Sequence, residues 1–179
     1  MVYLFLANGF EEIEALCPLD LLRRAGVEVT TVGIGGERVC GSHGITVEAD
    51  IPEGLFADAS PDMIILPGGM PGSRHLDESR TVDVALKAAS RRGAYIAAIC
   101  AAPMVLGHRG LLEGKRATCF PGFEGELAGA TIASERVVRD GNVITAAGMG
   151  VALDFGLALV AVLKGEEEAA RLRAAVLAD

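Results

Sequence analysis

Short apolar runs recur along the chain, each stopped by glycine, proline or asparagine, with amphipathic stretches between them. Val2–Leu6 is apolar without alternation and ends at Asn8-Gly9, the pattern of a strand buried on both faces. Glu11–Arg24 then reads as a helix closed by Gly26, with Glu11 and Glu12 at its positive start and Arg23 and Arg24 at its negative end. Val27–Val32 predicts the next strand. Arg38–Cys40 and Ile45–Val47 predict a short hairpin around Gly41–Gly44. Met63–Leu66 is a strand stopped by Pro67-Gly68-Gly69-Met70-Pro71-Gly72, and a helix follows over roughly Thr81 to Arg92, capped by Gly93. Ala94–Ile99 is the next strand, and Ala101–Leu106 is helical in composition, with Pro103 in its first turn, where proline is tolerated. Arg116–Cys119 predicts a strand. Arg136–Val138 and Val143–Ala146 flank the hairpin turn Asp140-Gly141-Asn142, and Val151–Leu163 and Glu166–Leu177 finish the chain as helices.

Apolar strands alternating with helices predict a doubly wound α/β domain, flavodoxin-like, with a mostly parallel sheet sandwiched between helices. No repeat or linker interrupts residues 1–179, so one domain is expected. Ligands in such folds sit beyond the carboxyl ends of the strands. The loops after Leu6, Leu66 and Ile99 are therefore the places to look for chemistry.

Composition narrows the classes. Hydrophobic residues make up 51% of the chain and aromatics only 4%, so the core must be aliphatic. The net charge of -8, with no block of basic residues, argues against bulk binding of nucleic acid or acidic membrane. Val2–Leu6 follows Met1 with no basic segment before it, and Val151–Leu163 contains Asp154 and is too short to span a bilayer, so a cytoplasmic protein is expected. Cys17, Cys40, Cys100 and Cys119 form no CxxC pair and no zinc-like cluster with His43, His75 or His108, so free thiols and no metal are expected. Neither a P-loop nor a GxGxxG turn follows any strand, and no cofactor is expected.

Cys100 stands at a strand-to-helix turn, physically similar to a nucleophile elbow. A helix start lowers a thiol pKa and offers unpaired amides, beginning at Ala101, to developing negative charge. The plain alternative is a buried core thiol. Gly68 and Gly69 let backbone approach a ligand or make an ordinary turn. Helical spacing puts Phe10, Glu14, Cys17 and Leu21 on one stripe, which leaves Glu14 as a carboxyl on an apolar face, with Pro18 expected to kink the helix just beyond it. A desolvated Glu14 has a raised pKa and stays protonated, able to donate to a thiolate. Glu11 and Glu12 read as a solvated helix start. The three histidines read as surface or loop residues.

Three stretches together resemble the DJ-1/PfpI (ThiJ/PfpI) superfamily: Asn8-Gly9-Phe10-Glu11-Glu12-Ile13-Glu14-Ala15, Leu66-Pro67-Gly68-Gly69, and Ala97-Ala98-Ile99-Cys100-Ala101-Ala102-Pro103. Gly148-Met149-Gly150 with Asp154-Phe155-Gly156 also fits. The Cys100-Ala101-Ala102-Pro103 context resembles the DJ-1-like branch with its YajL-type members; the protease-like branch typically has His where Ala101 stands. The resemblance implies a homodimer, Cys100 as the oxidation-sensitive nucleophile, Glu14 as its protonated partner, and the Gly69 and Ala101 amides as the anion-binding pair, with Gly68 shaping the loop. It implies glutathione-independent glyoxalase or deglycase activity on 2-oxoaldehydes (methylglyoxal, glyoxal) or on glycated protein. Its alternatives are a redox sensor or chaperone that works by oxidation of Cys100, with oxidative-stress protection, and a cysteine amidase or peptidase. Three positions depart from the family pattern. Phe120, in Thr118-Cys119-Phe120-Pro121, stands where many relatives carry His, although YajL-type members resemble the Phe version. His43 stands where Arg is common. Ala147-Gly148-Met149-Gly150 stands in place of an Arg-Gly-Pro-Gly-like segment. His43 and Phe120 remain candidate pocket residues.

Overall fold

The computed structural model describes residues 1–57 and 60–178. Eleven strands are present among them: β1 (Val2–Ala7), β2 (Val29–Ile34), β3 (Arg38–Cys40), β4 (Thr46–Glu48), β5 (Ile51–Pro52), β6 (Met63–Leu66), β7 (Tyr95–Ile99), β8 (Arg116–Ala117), β9 (Thr131–Ile132), β10 (Val137–Asp140) and β11 (Val143–Ala146). Six α-helices accompany them: α1 (Glu12–Arg24), α2 (Gly72–Glu78), α3 (Arg80–Arg92), α4 (Pro103–Gly107), α5 (Ala152–Lys164) and α6 (Glu166–Ala175). The main sheet runs β10-β11-β7-β6-β1-β2-β5, parallel throughout except for the antiparallel edge pair β10–β11. The sheet is thus the flavodoxin-like, mostly parallel layer that the alternating pattern predicts.

The period of two along each strand sorts side chains to two faces. Leu4, Leu6, Met63, Ile65, Ala97 and Ile99 pack under α1, α5 and α6, whereas Phe5, Ala7, Ile64, Leu66, Ile96 and Ala98 pack on the side of α3 and α4. Every residue of β1 and β6 is buried. Each fully buried Leu or Ile supplies roughly 1.5–3 kcal/mol, so the central strands anchor the loops that leave them. Helix α1 is drawn close by α5: a β-carbon on Gly156 would lie 2.6 Å from Leu21 Cδ1 and 3.0 Å from Pro18 Cα. Helix α1 runs through Pro18 as one helix.

From β1 the chain turns outward to β2, and it later returns to the other side of β1 through β6. The order therefore reverses between β1 and β6, and the crevice above that point is where doubly wound sheets hold ligands. The loops after β1, β6 and β7 border it.

Several expectations shift. The second strand lies two residues later than predicted, and the Arg116–Cys119 strand shortens to Arg116–Ala117. Helix α2 and strands β5 and β9 were not predicted. The helix after Cys100 begins at Pro103, with Ala101 and Ala102 in a turn. Among the described residues no helix is long and apolar enough to cross a membrane.

Candidate active site at the sheet reversal

Cys100 leaves β7 with φ 65°, a left-handed conformation rarely adopted by residues with a β-carbon. Such a backbone costs roughly 1–3 kcal/mol and persists only where neighbours hold it. Here the Cys100 amide donates to the Ala146 carbonyl of β11 at 2.8 Å, and the Cys100 carbonyl accepts from the Phe120 amide at 2.8 Å. The thiol is half-buried, and the Gly69 and Ala101 amides both point at it.

Glu14 comes to the same point from α1. It is 1% exposed, on the inward stripe with Phe10 and Leu21. Its Oε2 accepts from the Gly68 amide at 3.0 Å, the Met149 amide is aimed at the same carboxyl, and the Cys100 thiol hydrogen-bonds to it. Gly68 is required for this approach. A β-carbon there would press into Glu14 Oε2 and stand 2.6 Å from Cys100 Cβ. Gly69 is required for a different reason. Its φ is 87°, and its α-carbon faces Gly9 O and the Phe10 carbonyl carbon at 2.6 and 2.7 Å from where a β-carbon would lie. The loop is tied down by Glu11, whose amide donates to the Gly68 carbonyl at 2.9 Å and whose Oε2 caps α1 by accepting from the Glu14 amide at 2.8 Å.

Both members of the pair are pushed up. Burial raises Glu14 from 4.5 to about 7, and the nearby Glu11 charge adds to the rise, while the hydrogen bonds from Cys100, Gly68 and Met149 oppose it. Burial raises Cys100 from 9.0 to about 12, with the Glu14 charge adding to it and the Gly69 and Ala101 amides drawing it back. This reverses the expectation of a thiol lowered by a helix start. Helix α4 is only five residues long and begins three positions after the thiol. The common cause is that the crevice resists a second negative charge. Cys100 and Glu14 therefore titrate as a unit, and the singly protonated pair forms as pH rises through about 7.

The remaining candidates separate. Ala101 and Gly68 line the crevice with buried backbone. Phe120 is half-exposed, and its ring approaches Gly148: a β-carbon there would lie 3.2 Å from Phe120 Cδ2 and 3.9 Å from Glu14 Oε1. His43 does not join Cys100. Its Nδ1 lies 2.9 Å from Glu12 Oε2, and its amide donates to Glu12 Oε1 at 2.8 Å. His75 pairs with the Asn8 carbonyl, and His108 lies between Asp77 and Glu126. All three imidazoles are thus committed elsewhere.

Glu12 corrects the reading of a solvated helix start: it is 3% exposed. The loop between β3 and β4 folds over it, and this partnership, thirty residues away in sequence, has no local signal. Glu11, Glu12 and His43 place their ligand-type atoms within 4.8 Å of one another. The Glu12 oxygens are already satisfied by His43, Ile45 and Ser42, so the cluster is accounted for as a hydrogen-bonded knot.

Known proteins resemble this chain over most of its length. Protein dj-1beta of Drosophila melanogaster is 39% identical over 91% of this chain and 89% of its own length. A protein of Pyrococcus abyssi named as a deglycase is 32% identical over 80% of this chain and 87% of its own. The structure of oxidised DJ-1 from Toxoplasma gondii superposes with a TM-score of 0.95 at 36% identity, covering 98% of this chain and 97% of that one. The profile of the DJ-1/PfpI family matches residues 1–162, and the chain belongs to that family.

Proposed function

We propose that the chain is a cofactor-independent cysteine enzyme acting on 2-oxoaldehydes such as methylglyoxal and glyoxal, or on their adducts with protein. The observation that carries this reading is the Glu14 carboxyl, buried and hydrogen-bonded to the Cys100 thiol, with a pKa of about 7. A general acid–base group works best when its pKa lies near the operating pH.

In the singly protonated pair Glu14 is the carboxylate, and it takes the Cys100 proton as the sulfur attacks the aldehyde carbon. The Gly69 and Ala101 amides face the oxygen of the resulting hemithioacetal. Glu14 gives that oxygen its proton, and as a carboxylate then takes the hydrogen from the former aldehyde carbon. Returning that proton to the neighbouring carbon, while the hydroxyl proton passes from the former aldehyde oxygen to the ketone oxygen, reduces the ketone to an alcohol as the aldehyde carbon is oxidised to a thioester. Water cleaves the thioester, releasing a 2-hydroxy acid and the thiol. Methylglyoxal plus water gives lactate, with no external oxidant. The same attack on a glycated side chain is deglycation, the activity that the Pyrococcus abyssi relative is named for.

The test is lactate formation from methylglyoxal without glutathione or added metal. Wild type should turn over, and Cys100→Ala and Glu14→Ala should not; undiminished turnover in the Cys100 variant ends the reading. A second reading, oxidation of Cys100 to a sulfinate held by protonated Glu14, has support in the oxidised state of the Toxoplasma gondii relative. Intact mass after mild peroxide tests it: Cys100 must gain oxygen before Cys17, Cys40 or Cys119. An amidase or peptidase would need an imidazole beside Cys100, and the three histidines are held by other partners. A homodimer belongs to the reading as well, and sedimentation tests it.

A further inference from the structure

Glu14 is 1% exposed although the thiol it hydrogen-bonds is only half-buried. Something must close its outer side. On one side it meets Gly68, whose bare α-carbon admits the carboxyl. On the other it meets Gly148, which again has no side chain to cover Oε1. The Phe120 ring borders that place: a β-carbon on Gly148 would lie 3.2 Å from Phe120 Cδ2 and 3.9 Å from Glu14 Oε1. Phe120 is anchored by its own amide to the Cys100 carbonyl at 2.8 Å, so its position is tied to the nucleophile's backbone. Its ring and Glu14 Oε1 approach the same face of Gly148. A ring that is 48% exposed has one side in water and the other turned inward, which suits a cover.

We propose that Phe120 is a positioning residue that acts through Glu14: its ring, seated on Gly148, keeps water from Oε1 and so sets the proton affinity of the Cys100–Glu14 pair. The proposal rests on that pairing and not on which carbonyl is turned over. Removing the ring opens Oε1 to water, which favours the carboxylate, so the pair takes its single negative charge at lower pH. A carboxylate eased by water in this way is a weaker base toward the Cys100 thiol. The other charged groups around Glu14 stay in place. Glu11 lies at the cap of α1, the Glu12–His43 pair lies on the outside of the same turn, and Arg136 reaches Gly150 from the β10 side.

The experiment is a graded series, Phe120→Leu, Phe120→Val and Phe120→Ala. The Glu14 carboxyl is titrated by carbon NMR, and Cys100 by its alkylation rate against pH. Thermal melts identify the folded members, and any folded member of the series is informative. The Glu14 midpoint should step down from near 7 as the side chain shrinks, by ~1 pH unit or more for Phe120→Ala, a tenfold change in protonated fraction. Phe120→Leu, which keeps apolar cover, should restore most of the wild-type midpoint. Alkylation at pH 7 should slow in the same order. A midpoint that stays flat across the series, or melting temperatures that fall while it stays flat, overturns the proposal. Neither readout uses turnover. Loss of the carbonyl reading with stepped midpoints leaves this inference standing, and flat midpoints with normal turnover do the reverse.

Discussion

Glu12 and Glu14 stand two residues apart on one helix, and both are almost wholly buried, at 3% and 1% exposed. Their proton affinities move in opposite directions. Burial alone raises Glu12, but the His43 ring, the His43 amide and the Ile45 amide outweigh it and take the carboxyl down to about 2. Glu14 has the Gly68 and Met149 amides and a thiol, and burial wins, at about 7. Low exposure alone therefore does not decide the role of a carboxyl: Glu12 sits shallow beneath one loop whose donors outweigh its burial, whereas Glu14 lies deeper and its desolvation outweighs its donors. Glu12 is a permanent anion that pins a loop, and Glu14 is a proton carrier.

The largest expected effect comes from removing the carrier. Glu14→Gln keeps the shape but cannot exchange a proton, so turnover should fall by about 10²–10⁴-fold, measured as lactate produced. Glu12→Gln should leave turnover within a few-fold of wild type. It should instead cost about 2–3 kcal/mol in urea unfolding, because charge-assisted hydrogen bonds to the β3–β4 loop are lost. A result in which the two variants behave alike would erase the distinction.

The pH dependence of stability separates them further, because the signs differ. Glu12 is depressed from 4.5 to about 2, so its contribution is present above pH 4.5 and is lost as pH falls through 2. Glu14 is raised from 4.5 to about 7, so its contribution is present below pH 4.5 and is lost as pH rises through 7. Each window spans roughly 3 kcal/mol. Denaturant unfolding against pH should show the acid loss vanish in Glu12→Gln and the loss toward neutrality vanish in Glu14→Gln. Above pH 7, Glu14→Gln should be more stable than wild type while being inactive.

The smallest effect belongs to His43. Its side chain is largely exposed, and its pKa is raised by the hydrogen bond to Glu12 and by the Glu12 charge. That stabilisation is present below pH 6.5 and is lost as pH rises through the raised value. His43→Ala should raise the Glu12 pKa modestly and soften the β3–β4 loop in hydrogen exchange, with little change at Cys100.

Much of this was legible in the chain. Burial is periodic, so strands β1, β6, β7 and β11 and helices α1, α3 and α5 can be read from apolar spacing. Glu14 stood out as a carboxyl on an apolar stripe. Helix α2 was hidden because its buried face begins with Gly72 and Ser73, which carry no apolar signal, and follows a proline–glycine run. Strand β5 has two residues, one of them Pro52, and joins the sheet only through β2. Glu12 was misread because its partners lie at Gly41–Ile45. The Phe120 amide meets the Cys100 carbonyl across twenty residues, a bond no local pattern announces. Contacts remote in sequence are what separate the anion from the proton carrier.

A carbon NMR titration of both side-chain carboxyls in one wild-type sample tests the central claim most directly. Glu14 should titrate near pH 7 and Glu12 near pH 2. A Glu14 midpoint at the ordinary carboxylate value of 4.5 would contradict the assignment of Glu14 as the proton carrier beside Cys100.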